Sequence, residues 1–149
     1  GDYAVVQAWG AAGGGRYLLS QWRERAGFEA QVAAIEEMKR AHPRAAVVIE
    51  KAANGAAVIE VLRKKFSDVI AEVPQGSKEQ RFAACVPDVE SGSCYLPADA
   101  PWLGDFVQEF SGFPGGAKFD DVVDACGLAL RRLKRAVSGV EAMRIAGQW

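Results

Sequence analysis

At 149 residues the chain has the length of one ordinary domain, enough to bury roughly two-thirds of the surface that its unfolded form exposes. It is 50% hydrophobic and 25% charged with a formal net charge of -1, which excludes a disordered tail and a uniformly basic nucleic-acid binder. No apolar run approaches the roughly 20 residues of a membrane span, and the start lacks the charged-then-apolar pattern of a secretory signal, so a cytoplasmic location and no membrane partner are expected.

In chain order, "YAVVQAWGA" (residues 3–11) and "RYLLSQWRER" (residues 16–25) are rich in β-branched and aromatic residues. Gly13, Gly14 and Gly15 lie between them, which predicts an antiparallel hairpin rather than a phosphate loop. No GxxxxGK[ST] segment occurs, so an ATP site is not expected. The period then changes. Phe28, Val32, Ile35 and Met38 recur at helical spacing over residues 28–41, with Glu29, Glu36, Glu37, Lys39 and Arg40 assigned to the solvent face. The lone His42, just before Pro43, reads as a helix-end residue. "AAVVIE" (residues 45–50) is a short, nearly all-apolar run of the kind covered on both faces of a sheet, and it stops at Glu50.

A helix is predicted over residues 56–66, a strand over 68–73, and a helix beginning in "SKEQRFAACVPDVE" (residues 77–90). "SCYLP" suggests a short strand, and helices follow over 102–110 and 121–137. The order β-β-α-β-α-β-α-α predicts an α/β domain with a mixed sheet, and with neither repeat nor linker residues 1–149 read as a single domain. Cys85, Cys94 and Cys126 are odd in number and widely spaced, which suggests reduced, small hydrophobes rather than disulfides or a zinc site. Trp9, Trp22, Trp102, Phe106 and Phe113 are expected in or beside the core.

Two acidic features carry chemistry. Open α/β sheets bind ligands at the carboxyl ends of their strands, so Glu50 is either a site residue or the point where a strand meets water. In "FDDVVDA", Asp120, Asp121 and Asp124 fall within five residues. Aspartates favour helix starts, where they accept hydrogen bonds from free N–H groups and complement the helix dipole. Three like charges at i, i+1 and i+4 also repel unless cations offset them, and such side chains can converge on one face. Oxygen ligands of this kind suit a divalent cation, and carboxylates gathered around two metal ions support phosphodiester hydrolysis.

The segments "VVIEKAANGAAVIEVLRKKF", "VPQGSKEQRFAACVPDVESGSCYLP" and "WLGDFVQEFSGFPGGAKFDDVVDACGLAL", in that order, resemble the C-terminal nuclease domain of phage terminase large subunits. The resemblance implies a ribonuclease H-like mixed β-sheet flanked by helices. The implied activity is metal-dependent endonucleolytic cleavage of concatemeric double-stranded viral DNA, by two-metal hydrolysis with Mg2+ or Mn2+. It further implies a phage or prophage protein of the bacterial cytoplasm, with double-stranded DNA, a portal protein and a small terminase subunit as partners.

Carried over by motif, Glu50 resembles the acid of the family's central strand. Asp121 and Asp124 resemble its late catalytic acids, and Asp120 adjoins them as a further metal ligand. Lys78 and Arg81 match a basic motif that meets DNA phosphate, while Asn54 and Gly55 resemble the turn after the metal-bearing strand. The family's first-strand aspartate, in a "D-x-A" segment, would lie upstream of Gly1, and Asp2 resembles a nearby non-catalytic aspartate. The resemblance therefore implies a first strand missing from this chain, an absent ATPase domain, and weak or no cleavage by the fragment alone.

Two other readings stand beside the nuclease. One is a non-catalytic module that docks on a packaging motor or contacts DNA, as in a prophage remnant. The other is a ribonuclease H-like enzyme such as a junction resolvase, against which "SKEQR" and "YLP" speak. Arg23, Arg25, Lys78, Arg81 and Lys118 can supply a local basic face or simply solvated surface, and "RRLKR" (residues 131–135) suits a helix C-terminus better than DNA contact.

Overall fold

The computed structural model describes residues 3–51, 55–113, 115, 120–135 and 144–148. Asp2, Asn54 and Lys118, singled out above, lie outside the described residues. The first two strands, β1 (Ala4–Ala12) and β2 (Gly15–Glu24), form the expected hairpin. Gly13 and Gly14 both have positive φ, +55° and +80°, the pairing that a two-residue turn needs to match the right-handed twist of its strands. A bulge between Ala8 and Trp9 shifts the register, so that Trp9 faces Leu18 across the ladder.

Helix α1 (Phe28–Ala41) ends at His42, which occupies its C-cap. Strand β3 (Ala46–Glu50) follows, then α2 (Gly55–Arg63) and β4 (Val69–Glu72). The segment expected as one helix from Ser77 is two short ones, α3 (Lys78–Ala83) and α4 (Val86–Glu90). Ser77 and Gln80 close a reciprocal capping box at the start of α3, while Pro87 opens α4 and interrupts continuous backbone hydrogen bonding. Strand β5 (Cys94–Tyr95), α5 (Leu103–Gly112), α6 (Asp121–Arg135) and β6 (Arg144–Gln148) complete the order.

The described strands form one mixed sheet in the order β4-β3-β6-β1-β2-β5. β3 pairs in parallel with β4 and β6, whereas β1 is antiparallel to both β2 and β6. β6, which the sequence pattern does not announce, thus lies at the centre. Successive residues of a strand face opposite sides, and the core divides accordingly. Val5, Trp9 and Val48 pack with Phe106 and the apolar face of α6, including Val122, Ala125 and Leu128. Val6, Val47 and Ile49 pack instead with Val32 and Ile35 of α1 and Val58 and Leu62 of α2.

One solvent-face assignment is corrected. Lys39 is only 6% exposed. Its ammonium donates to the carbonyls of Pro43 and Ala45 and to Asp68 Oδ2 at 2.6 Å, so its charge ties α1 to the edges of β3 and β4 instead of facing water. Cys85, Cys94 and Cys126 are free thiols, the first and last buried. Burial is the main cause that pushes the Cys126 thiol far above its ordinary range, so it stays protonated.

Candidate metal and phosphate site

The carboxyl end of β3 carries Glu50 to a cleft at the sheet edge, beside Glu72, its register partner on β4. Helix α2 begins close by because Gly55 lacks a side chain: a Cβ there would overlap the Glu50 carbonyl oxygen. Glycine therefore allows the helix start to press against the acid-bearing strand end, a close approach of backbone to backbone that other residues forbid.

The second wall is the N-terminal half of α6, held by two buried carboxylates. Glu109 of α5 is 6% exposed, and its Oε1 accepts a 2.7 Å hydrogen bond from the Val122 N–H. Its Oε2 pairs with Arg23 Nη2 at 2.9 Å. Glu109 thus caps α6 from a neighbouring helix and satisfies one of the free donors of the first turn. Burial raises its pKa, opposed by the Val122 hydrogen bond and the Arg23 charge. Asp121, 9% exposed, accepts from the Tyr3 N–H through Oδ2 at 3.0 Å, tying the first residue of α6 to the entry of β1.

These ties orient the remaining acids. Asp120 and Asp124 lie one turn apart, with the Asp124 N–H bonded to the Asp120 carbonyl at 3.0 Å. Lys78 Nζ reaches both carboxylates, 3.1 Å from Asp120 Oδ2 and 2.9 Å from Asp124 Oδ2. Burial alone would lower the Lys78 pKa, but the hydrogen bonds and charges of Asp124 and Asp120 outweigh it and hold the pKa above the ordinary lysine value. The Asp124 pKa nevertheless lies above its usual value, because burial, helped by the charges of Asp120 and Glu50, outweighs the Lys78 contact. Lys78 stays cationic, and Asp124 is a weaker acid than a free aspartate.

Glu50, Lys78, Arg81, Asp124 and Arg131 line one small recess. Of the expected residues, Glu50, Asp124, Lys78 and Arg81 therefore meet there; Asp120 joins through Lys78, and Asp121 is turned toward Tyr3. Lys78, expected to face DNA phosphate, is turned toward its own aspartates. Sequence reasoning passed over Glu109. The signal available was an acid three residues after Phe106, and these are the two buried residues of α5.

The donors offered are carboxylate oxygens, the chemistry that Mg2+ and Mn2+ prefer. Glu50 and Asp124 fit a shared hard cation as facing acids, with Asp120 available once Lys78 moves. Among the described residues, no group of three or more His, Cys, Asp or Glu side chains is already gathered as a metal cage.

A family model described as "Terminase RNaseH-like domain" matches residues 1–133. Neither the curated proteins nor the solved structures give a match.

Proposed function

Because the chain belongs to the terminase RNaseH-like domain family, we propose that it is the nuclease domain of a DNA-packaging terminase, hydrolysing phosphodiester bonds of concatemeric double-stranded DNA at the Glu50–Asp124 recess. The observation that carries this reading is the convergence of a strand-end acid and a helix-start acid on one recess with three cationic side chains. Double-stranded DNA, a portal protein and a small terminase subunit are the partners this reading entails, in the bacterial cytoplasm.

In this reading Glu50, Asp124 and Asp120 hold Mg2+ or Mn2+, two ions at full occupancy, with Asp121 fixing the start of α6 through Tyr3. The bound cations would activate water and neutralise charge that develops on the scissile phosphate. The chain's own contribution is placement. β3 and Gly55 set Glu50 at the recess, Glu109 and Asp121 set the turn that carries Asp124, and Lys78 keeps the acids together before a cation arrives.

A non-catalytic docking module is the second reading. Engagement of Asp120 and Asp124 by Lys78 favours it, since an internal ammonium already balances those acids. Calorimetric titration with Mn2+ and plasmid nicking in Mn2+ separate the two. The nuclease reading expects Mn2+ binding heat, with at most weak nicking by the chain alone, and Glu50→Ala and Asp124→Ala should each remove both. A chain that neither binds Mn2+ at millimolar concentration nor nicks DNA is the docking module.

A further inference from the structure

Beside the acid recess lies an open cleft of about 340 Å³ between the end of β4 and α3, whose polar lining includes Glu50, Glu72, Gln80, Arg81 and Arg131. Its charges separate into engaged and available ones. Arg132 pairs with Glu72 at 3.4 Å, and Lys78 pairs with Asp120 and Asp124. Among the described residues, neither Arg81 nor Arg131 has a carboxylate within ion-pair distance. Arg81 is steadied by donating from Nη1 to the Gly76 carbonyl at 3.2 Å.

Arg131 is placed by the sequence of α6. It lies four residues after Gly127 and seven after Asp124, on the same helical face. Long side chains on a helix run back toward its N-terminus, and the Arg131 guanidinium does so: a Cβ added at Gly127 would stand 3.1 Å from Nη1. A mid-helix glycine costs about 1 kcal/mol relative to alanine. At this position it clears the path by which Arg131 reaches toward Asp124, so that Arg131 lines both the acid recess and the larger cleft.

We propose that Arg131 joins Arg81, which the resemblance already assigns to DNA phosphate, in a phosphate-binding subsite in this cleft that grips the nucleic-acid backbone beside the Glu50–Asp124 recess. Two guanidinium forks suit phosphate oxygens, and the pair stands at the mouth of the acid recess. The role of Arg131 is positional: it aligns the strand, whereas the acids act on the reacting group. This inference rests on the nuclease reading, since it needs a nucleic acid as ligand.

The test is fluorescence anisotropy of a short DNA duplex with the whole chain across a salt series, with Mn2+ omitted so that binding is read without cleavage. Arg131→Gln and Arg81→Gln should each weaken binding and reduce the salt slope by about 0.9, one lost phosphate contact. Arg131→Lys should keep the slope. Gly127→Ala, which displaces the guanidinium without removing its charge, should weaken binding. Lys64→Gln, exposed and in neither cleft, serves as the control and should match the parent. If Arg131→Gln binds with the parent's slope, or weakens binding no more than Lys64→Gln, the subsite is refuted while the nuclease reading stands. If the parent binds no DNA duplex in this metal-free series, the subsite is refuted, and the nuclease reading is decided by the Mn2+ heat and nicking.

Discussion

Replacing Lys78 by methionine should tighten Mn2+ binding. In the folded chain the Lys78 ammonium holds Asp120 and Asp124 at 3.1 and 2.9 Å, so a cation that takes those oxygens must first displace it. Methionine keeps much of the aliphatic stem and removes the competitor. The Lys78 side chain is 46% exposed, which places both contacts in the solvent-screened class. At about 0.2–1 kcal/mol for each such pair, the ammonium opposes the metal by about 0.5–2 kcal/mol. With 1.4 kcal/mol per factor of ten, the gain in affinity is about 2- to 30-fold.

Isothermal titration with Mn2+ at fixed pH and moderate salt measures that gain directly. A companion melt without metal should show Lys78→Met less stable than the parent, because Asp120 and Asp124 then repel without a bridging charge. Added Mn2+ should reverse the loss by binding the native state. Unchanged or weaker Mn2+ affinity in Lys78→Met would refute the competition. It would make Lys78 a supporting partner of the site instead of a stand-in for its cation.

Glu109→Ala should cost about 1–3 kcal/mol of stability by removing the acceptor of the buried Val122 N–H together with the carboxylate partner of the half-buried Arg23, with Glu109→Gln milder because it retains an acceptor. The raised Glu109 pKa means that the folded state holds its proton more tightly than the unfolded chain, so this group's contribution to stability falls as pH rises from 4.5 through the raised value. Chemical denaturation across pH 4 to 7 should show a steeper fall in the parent than in Glu109→Gln, where the raised Asp124 pKa still contributes. Asp121→Ala should cost about 1–3 kcal/mol through loss of the acceptor for the Tyr3 N–H, whereas Asp121→Asn should keep most of the stability and the Mn2+ heat. Loss of the Mn2+ heat in Asp121→Asn would place Asp121 among the ligands.

What the sequence shows of this molecule follows the range of the interactions involved. The hairpin is legible because its cause is local: paired positive-φ glycines between two β-branched runs. Strand β3 is legible because a strand buried on both faces must be apolar throughout, as its core residues Val47, Val48 and Ile49 are. β6 is not legible, since "RIAGQ" has neither the alternation nor the β-branched density of a strand. Its place between β1 and β3 depends on partners more than 90 residues earlier in the chain. Lys39 misleads for a related reason. A lysine at the end of an amphipathic helix normally faces water, and only the approach of Asp68 and two carbonyls, set by tertiary packing, makes its burial tolerable.

The acids divide along the same line. Their clustering near a helix start is a pattern in sequence, but the task of each depends on what the fold brings opposite it. Asp121 meets the Tyr3 N–H, 118 positions away in the chain, and becomes a structural tie. Asp124, three residues later, faces Glu50 and Lys78 and becomes part of the recess. Spacing on the helix requires that separation: residues three apart are offset by about 60° around the axis, enough for one carboxylate to turn toward β1 and the other toward the end of β3. Glu109 adds to this from outside the motif, because its acceptance of the Val122 N–H holds the first turn of α6 from α5. Within one acid cluster at a helix start, the helical offset thus sends one carboxylate to a structural tie and another to the recess.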